Sequence, residues 1–182
     1  MLPPSARTAL DARIRHLQRL GVPARSPDQR MSRLAYGIPE LAALATAIRL
    51  MTAYMVPTLA ARYVTERWEA LAAFNLAGAR GVFPADYLTR RPITCGTIAI
   101  IEGNALADLG QKGRHDERYV GKLGSIVIVS DDAIDLAAIK HGTGLFLDSR
   151  AYMPTIVSRS IDLSLATEDD LASELDRLRF VG

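Results

Sequence analysis

Length and composition are compatible with a folded protein that has one substantial hydrophobic core or two small ones. The chain has 182 residues, of which 49% are hydrophobic and 23% are charged, a composition that disfavours wholesale disorder. Its single cysteine, Cys95, excludes a disulfide within the chain and a zinc site built on several cysteines.

The net charge of +2 is unevenly distributed along the chain. Residues 1–67 contain ten arginines, no lysine and four acidic residues, a balance of +6, whereas the remaining 12 basic and 16 acidic residues give −4. A cationic, arginine-rich segment is typical of nucleic-acid binding, because the guanidinium group donates paired hydrogen bonds to phosphates and bases. A genome rich in arginine codons is the simpler explanation of the bias taken alone.

The N-terminal residues show no secretory signal pattern, so we expect a cytoplasmic protein. The most apolar stretch, residues 38–61, is interrupted by Arg49 and Pro57, which disfavours a membrane-spanning helix.

The first predicted element is an amphipathic helix over residues 5–20. Its apolar residues share one face at spacings of four and three: Leu10, Ile14 and Leu17. Arg15 and Arg19 lie on the opposite face, with His16 beside them and Arg13 on a flank. Gly21 and Pro23 are expected to end the helix.

A loop is predicted over residues 23–37, and residues 31–36 within it are interpreted as a short hairpin. The loop and hairpin together carry three arginines: Arg25, Arg30 and Arg33. A second helix is expected to begin at Pro39 and to end near residues 54–56, and a third is expected from Pro57 to about Leu76.

Beyond residue 78 the sequence changes character, because glycine and proline interrupt the helical pattern and β-branched runs follow. Five strands are predicted, at residues 97–102, 125–130, 145–147, 155–158 and 160–165. An exposed loop or hairpin is expected over residues 110–124, a short helix over residues 131–140, and a final helix that begins after a capping box at residues 167–170. We therefore predict an α+β protein with a winged-helix-like DNA-binding domain at residues 1–78 and a small mixed α/β domain at residues 79–182.

Residues 14–25 (IRHLQRLGVPAR) resemble the recognition helix and turn of the MerR family of winged-helix regulators, in which an arginine and two aromatic residues precede Gly, an apolar residue, Pro and Arg. Residues 33–36 resemble the end of that family's wing, and residues 40–44 and 55–57 resemble the helix and turn that follow. His16 and Leu17 replace the two aromatic residues. The resemblance covers residues 12–67 and implies a winged-helix DNA-binding unit.

The candidate DNA-binding residues combine the helix face with the loop and hairpin: Arg13, Arg15, His16, Arg19, Arg25, Arg30, Arg33 and Tyr36. The helix residues would enter a groove, the loop and hairpin arginines would hold phosphates, and Tyr36 would support the wing or bond to a phosphate. We expect a sequence-specific, homodimeric transcriptional regulator that binds double-stranded DNA, with no catalytic site, cofactor or metal.

Other functions remain open. The basic helix would also suit an adaptor that docks on an acidic protein surface, or a protein that binds RNA. A small enzyme would require His115 or His141 to meet a carboxylate next to the loop at residues 110–124. The C-terminal part would dimerise or bind a partner or a small effector, and its residues do not identify a ligand.

Overall fold

A computed structural model describes residues 4–24, 36–83, 87–90, 92–102, 123–130, 144–165 and 167–179. The described chain is mostly helical and contains a small three-stranded antiparallel sheet. The predicted α+β class is confirmed. The predicted hairpin at residues 31–36 falls largely outside the described residues, as do most of the 110–124 loop and the predicted helix at residues 131–140.

The helices of the N-terminal half have these bounds: α1 Pro4–Arg19, α2 Ile38–Thr52, α3 Pro57–Glu66 and α4 Trp68–Gly78. Helix α1 forms as predicted, with Leu17 fully buried and Leu10 and Ile14 half-buried on the same face. Gly21 follows the helix in the left-handed region, with φ of 87°, which a glycine adopts without steric cost.

The third predicted helix is two helices, because the chain breaks at Arg67 between α3 and α4. The hydroxyl group of Thr65 donates to the carbonyl of Ala61 at 3.0 Å, a back-bonding geometry that bends helices. Because of the break, the two helices bury different faces: α3 buries Tyr63, and α4 buries Leu71 together with residues on other sides of the same helix. Periodicity alone did not indicate it, since Leu59, Tyr63, Leu71 and Phe74 lie near one stripe of an uninterrupted helix.

A 3₁₀ turn, Arg80–Val82, and a short helix, α5 Tyr87–Arg90, lead into the sheet. The strands are β1 Ile98–Glu102, β2 Ile126–Val129 and β3 Gly144–Asp148, in the order β2-β1-β3. The ends of all three strands were predicted within one residue. The central strand pairs antiparallel with both neighbours, and Ile98 lies opposite Val129 on one side and Asp148 on the other.

The strands predicted at residues 155–158 and 160–165 are wrong, since this segment forms α6 Met153–Asp162. Its β-branched residues favoured a strand, but Pro154 occupies the first turn of the helix. Met153, Val157 and Ser160 then fall on one buried face. A helical stripe at spacings of four and three thus overrides the local β-propensity. A 3₁₀ turn, Ser149–Ala151, precedes this helix.

The final helix is α7 Glu168–Arg179, and it begins as predicted. The hydroxyl oxygen of Thr167 accepts a hydrogen bond from the backbone N–H of Asp170 at 3.1 Å, which caps the first turn. The apolar face of the helix is buried as its pattern indicated: Leu171, Leu175 and Leu178.

One hydrophobic core contains side chains from both sides of the predicted domain boundary. Leu17, Leu50 and Leu71 come from the N-terminal helices, and Met153 and Leu175 come from α6 and α7. Helix α7 packs against α2 and α4. The predicted boundary at residue 78 thus marks a change in the residue pattern of the sequence, but the hydrophobic core continues across it. Among the described helices, none is long and apolar enough to cross a membrane.

Candidate nucleic-acid interface

The solvent face of α1 carries a row of charged side chains that we call the α1 ridge: Arg7, Asp11, Arg15 and Arg19. These residues follow one another at intervals of four, so they form a single ridge along the helix surface. All four are exposed, because the opposite face of the helix is held against the core by Leu17. The burial of one stripe therefore determines which charged residues face solvent.

The ridge and its flanks include the four candidate residues that α1 contributes. Arg15 and Arg19 lie on the ridge, and Arg13 is exposed on a flank of the helix. His16 is half-buried, and its Nδ1 atom lies 3.2 Å from Nη2 of Arg19. A guanidinium group can only donate, so this contact requires Nδ1 of His16 to accept. The structure thus brings the four α1 candidates onto one helix and couples two of them.

Tyr36 lies beside α1 although 18 residues separate it from its partner there. Its hydroxyl oxygen accepts a hydrogen bond from Nε2 of Gln18, and the ring is half-buried. The start of α2 is therefore tied to α1. Sequence reasoning missed Gln18, because a glutamine on a helix flank carries no signal of a distant partner. The three candidates Arg25, Arg30 and Arg33 lie outside the described residues.

The arginines of α1 differ in pairing from Arg62 on α3 and Arg159 on α6. Arg62 pairs with Glu66 at 2.7 Å, and Arg159 pairs with Asp162 at 3.2 Å. In contrast, Arg7, Arg13, Arg15 and Arg19 form no ion pair with any described carboxylate. Four arginines against one aspartate leave α1 with a formal charge of +3. Exposed surface pairs stabilise a fold only weakly, so the difference bears mainly on which charges are available to a partner.

Two carboxylates, one from α7 and one from α2 itself, hold the N-terminus of α2, directly after Tyr36. Oε2 of Glu174 accepts from the backbone N–H of Ile38 at 2.9 Å, and Glu40 accepts from the N–H of Gly37 at 2.9 Å. The guanidinium of Arg177 donates to both carboxylates. A Cβ atom on Gly37 would lie 2.2 Å from Oε2 of Glu174, so a larger residue there would require this carboxylate to move. Sequence reasoning missed this cluster, because 136 residues separate Ile38 from Glu174.

Other site chemistry has little support within the described part of the chain. No group of three or more His, Cys, Asp or Glu side chains there could hold a metal ion. Burial raises the pKa of the Cys95 thiol, which disfavours the nucleophilic thiolate. Both histidines considered for an enzyme, His115 and His141, lie outside the described residues.

Comparisons of the chain with protein-family models, with curated protein sequences and with solved structures found no match. The resemblance to the MerR family therefore rests on the residues of the 12–67 segment alone. The described geometry that bears on function is the exposed cationic face of α1.

Proposed function

We propose that this chain is a sequence-specific double-stranded DNA-binding protein that acts as a cytoplasmic transcriptional regulator. The single observation that carries the proposal is the α1 ridge with its flanking Arg13. Their four arginines are exposed, and among the described residues they lack carboxylate partners. Charge of this kind, concentrated on one helix face, is the electrostatic footprint expected of a nucleic-acid-binding surface.

The physical fit is that of a helix in the major groove. An α-helix with its side chains is about 10–12 Å across, and the groove of B-DNA is about 12 Å wide. Arg15 and Arg19 would reach base edges or phosphates, and Arg13 would contact the backbone at the flank. In this proposal Arg25, Arg30 and Arg33 hold further phosphates from the predicted wing, and Tyr36 braces the start of α2 against α1.

We also propose that the protein binds DNA as a homodimer. A single helix and wing bury little surface, whereas two linked copies gain from effective concentration at paired half-sites. In this proposal the part of the chain after residue 78 supplies the contacts between subunits.

A competing explanation assigns Arg19 and His16 a purely structural role. Both lie in the last turn of α1, where cations complement the helix macrodipole. That role does not account for Arg7, which lies in the first turn of α1, or for Arg15. The distribution of charge along the whole ridge thus favours an anionic partner.

The proposal is tested by fluorescence anisotropy with the full chain and a selected duplex. The binding site is first selected from a pool of random duplexes and then compared with a scrambled duplex over a series of salt concentrations. We expect the Arg15→Ala/Arg19→Ala variant to bind at least about tenfold more weakly and to have a salt slope smaller by about two.

The control is Arg159→Ala, which removes one positive charge from an exposed position on α6. It should leave affinity and salt slope unchanged. Failure of the wild type to bind either duplex at low salt would contradict the proposal, and capture of an acidic protein by the same arginines would identify the adaptor instead. Equal affinity for the selected and scrambled duplexes would exclude sequence-specific regulation.

A further inference from the structure

The α1 ridge contains one residue that phosphate binding does not explain. Asp11 lies between Arg7 and Arg15 on the ridge and is exposed. A surface that only held phosphates would be weakened there, because the carboxylate and the phosphates repel each other. The position of this aspartate therefore calls for a role other than phosphate binding.

Asp11 is also not used inside the protein, as far as the described residues show. Arg7 and Arg15 are each four residues away, the spacing at which helical ion pairs form. Arg62 and Glu66 do form such a pair, at 2.7 Å, but Asp11 has no ion pair with a described residue. Within the described part of the chain, its carboxylate oxygens are thus available to accept hydrogen bonds from a ligand.

We propose that Asp11 is the specificity-determining residue of the α1 ridge and accepts a hydrogen bond from the N4 amino group of a cytosine in the major groove. The inference rests on the proposed function. Cytosine presents a donor at this edge and guanine presents two acceptors. The ridge offers the complementary pattern, with the acceptor Asp11 next to the donor Arg15.

The dimensions of the ridge agree with this assignment. Asp11 and Arg15 are about 6 Å apart along the axis of α1, a distance on the order of one to two base-pair steps along the groove. The short side chain of Asp11 requires close approach of the helix to the bases. Beside the ridge, the exposed neighbours Thr8 and Ala12 are small and leave room on that side for the approach.

The experiment selects binding sites from random duplexes with full-length wild type and with Asp11→Asn. Wild type should select cytosine at one position, with guanine recovered within about two steps. Asparagine pairs with adenine through N6 and N7, so Asp11→Asn should change the selected base from cytosine to adenine. Anisotropy should then be measured with the duplex selected by wild type and the duplex selected by Asp11→Asn. The affinity ratio in favour of the cytosine duplex should be about tenfold smaller for the variant.

Two further variants sharpen the result. Asp11→Ala removes the acceptor, so it should bind a scrambled duplex more tightly and discriminate less between selected and scrambled DNA. Asp162→Asn makes the same change of charge on α6, where Asp162 is exposed, and should select the wild-type sequence.

The two proposals fail in different ways. If wild type selects a sequence but Asp11→Asn and Asp11→Ala select the same base with the same discrimination, Asp11 does not read a base and DNA binding by the ridge stands. If wild type selects no sequence, both the proposed function and the role of Asp11 are overturned.

Discussion

Three helices end in the same backbone motif but with different residues at its left-handed position. The residues are Gly21 after α1, Tyr54 after α2 and Ser164 after α6, with φ of 87°, 67° and 54°. In each motif the next residue donates its N–H to a carbonyl five residues back, as Met55 does to Leu50 at 3.1 Å. This is the Schellman motif, which favours glycine. Unlike Gly21, Tyr54 adopts this conformation at a cost, and because it is 93% exposed it gains little from packing.

We expect Tyr54→Gly to raise the free energy of unfolding by about 0.5–1 kcal/mol. Glycine removes the left-handed strain of about 1–2 kcal/mol, and part of that gain is lost to the greater freedom of glycine in the unfolded chain. Urea denaturation followed by circular dichroism measures the change. Thr52→Gly, in the last turn of the same helix, is the control and should lower stability by about 0.5 kcal/mol. A destabilised Tyr54→Gly would show that the tyrosine side chain makes a stabilising contact.

At the scale of elements, a buried polar network joins α2, α4 and the turn before α6. Thr46 and Asn75 are fully buried, and Tyr152 is almost fully buried. Oδ1 of Asn75 accepts from the Tyr152 hydroxyl at 2.6 Å, and its Nδ2 donates to Thr46 at 3.0 Å. Burial raises the pKa of Tyr152 well above its usual range. The three elements are thus held in register by groups that would be costly to leave unpaired.

Tyr152→Phe should lower the free energy of unfolding by about 1–3 kcal/mol at neutral pH, because Asn75 loses a donor in a buried site. The raised pKa of Tyr152 determines how its contribution to stability depends on pH. The contribution of Tyr152 is fully present below the unfolded tyrosine pKa of about 10, and it is lost as pH rises above that value because the unfolded phenol ionises first. Denaturation should be measured at pH 7 and above pH 10. The difference in free energy of unfolding between Tyr152→Phe and wild type should become smaller as the pH rises. A difference in unfolding free energy that does not change with pH would contradict the effect assigned to burial of the phenol.

Local sequence signals predicted elements whose pattern and packing agree. Helix α1, strand β1 and helix α7 follow from apolar periodicity and from end signals such as Gly21 and Thr167. Helix α6 was mistaken for strands, because its β-branched residues dominate the local pattern while its buried stripe becomes evident only against α2 and α4. The candidate site, too, could be predicted only in part. Periodicity predicted that Arg15 and Arg19 lie on the solvent-exposed face of α1, but it did not indicate the contact between Gln18 and Tyr36.

At the scale of the whole molecule, α7 completes the core that the N-terminal helices begin. Leu175 is fully buried, and its helix packs on α2 and α4. The same helix supplies Glu174 to the N-terminus of α2, beside the residue that contacts α1. Stability of the proposed DNA-binding face therefore depends on the opposite end of the chain.

Leu175→Ala should lower the free energy of unfolding by about 2–5 kcal/mol through the cavity it leaves. Because the core is shared, fluorescence of Trp68 in α4 and circular dichroism of the whole chain should report one coincident transition in wild type and variant. Leu163→Ala is the control, since Leu163 is 67% exposed, and it should change stability by less than about 0.5 kcal/mol. Two separated transitions in wild type would indicate two parts that unfold independently.

The sequence by itself determined the α+β class, the amphipathic α1 with its arginines opposite Leu17, and the strands of the sheet. These features depend on periodicity and on turn residues that act within a few positions of the chain. Only the tertiary structure decided that α7 closes the N-terminal core, that Tyr152 joins Asn75, and that Glu174 caps α2. These contacts join residues 77 to 136 positions apart, and burial and hydrogen bonding between such distant residues leave no local pattern.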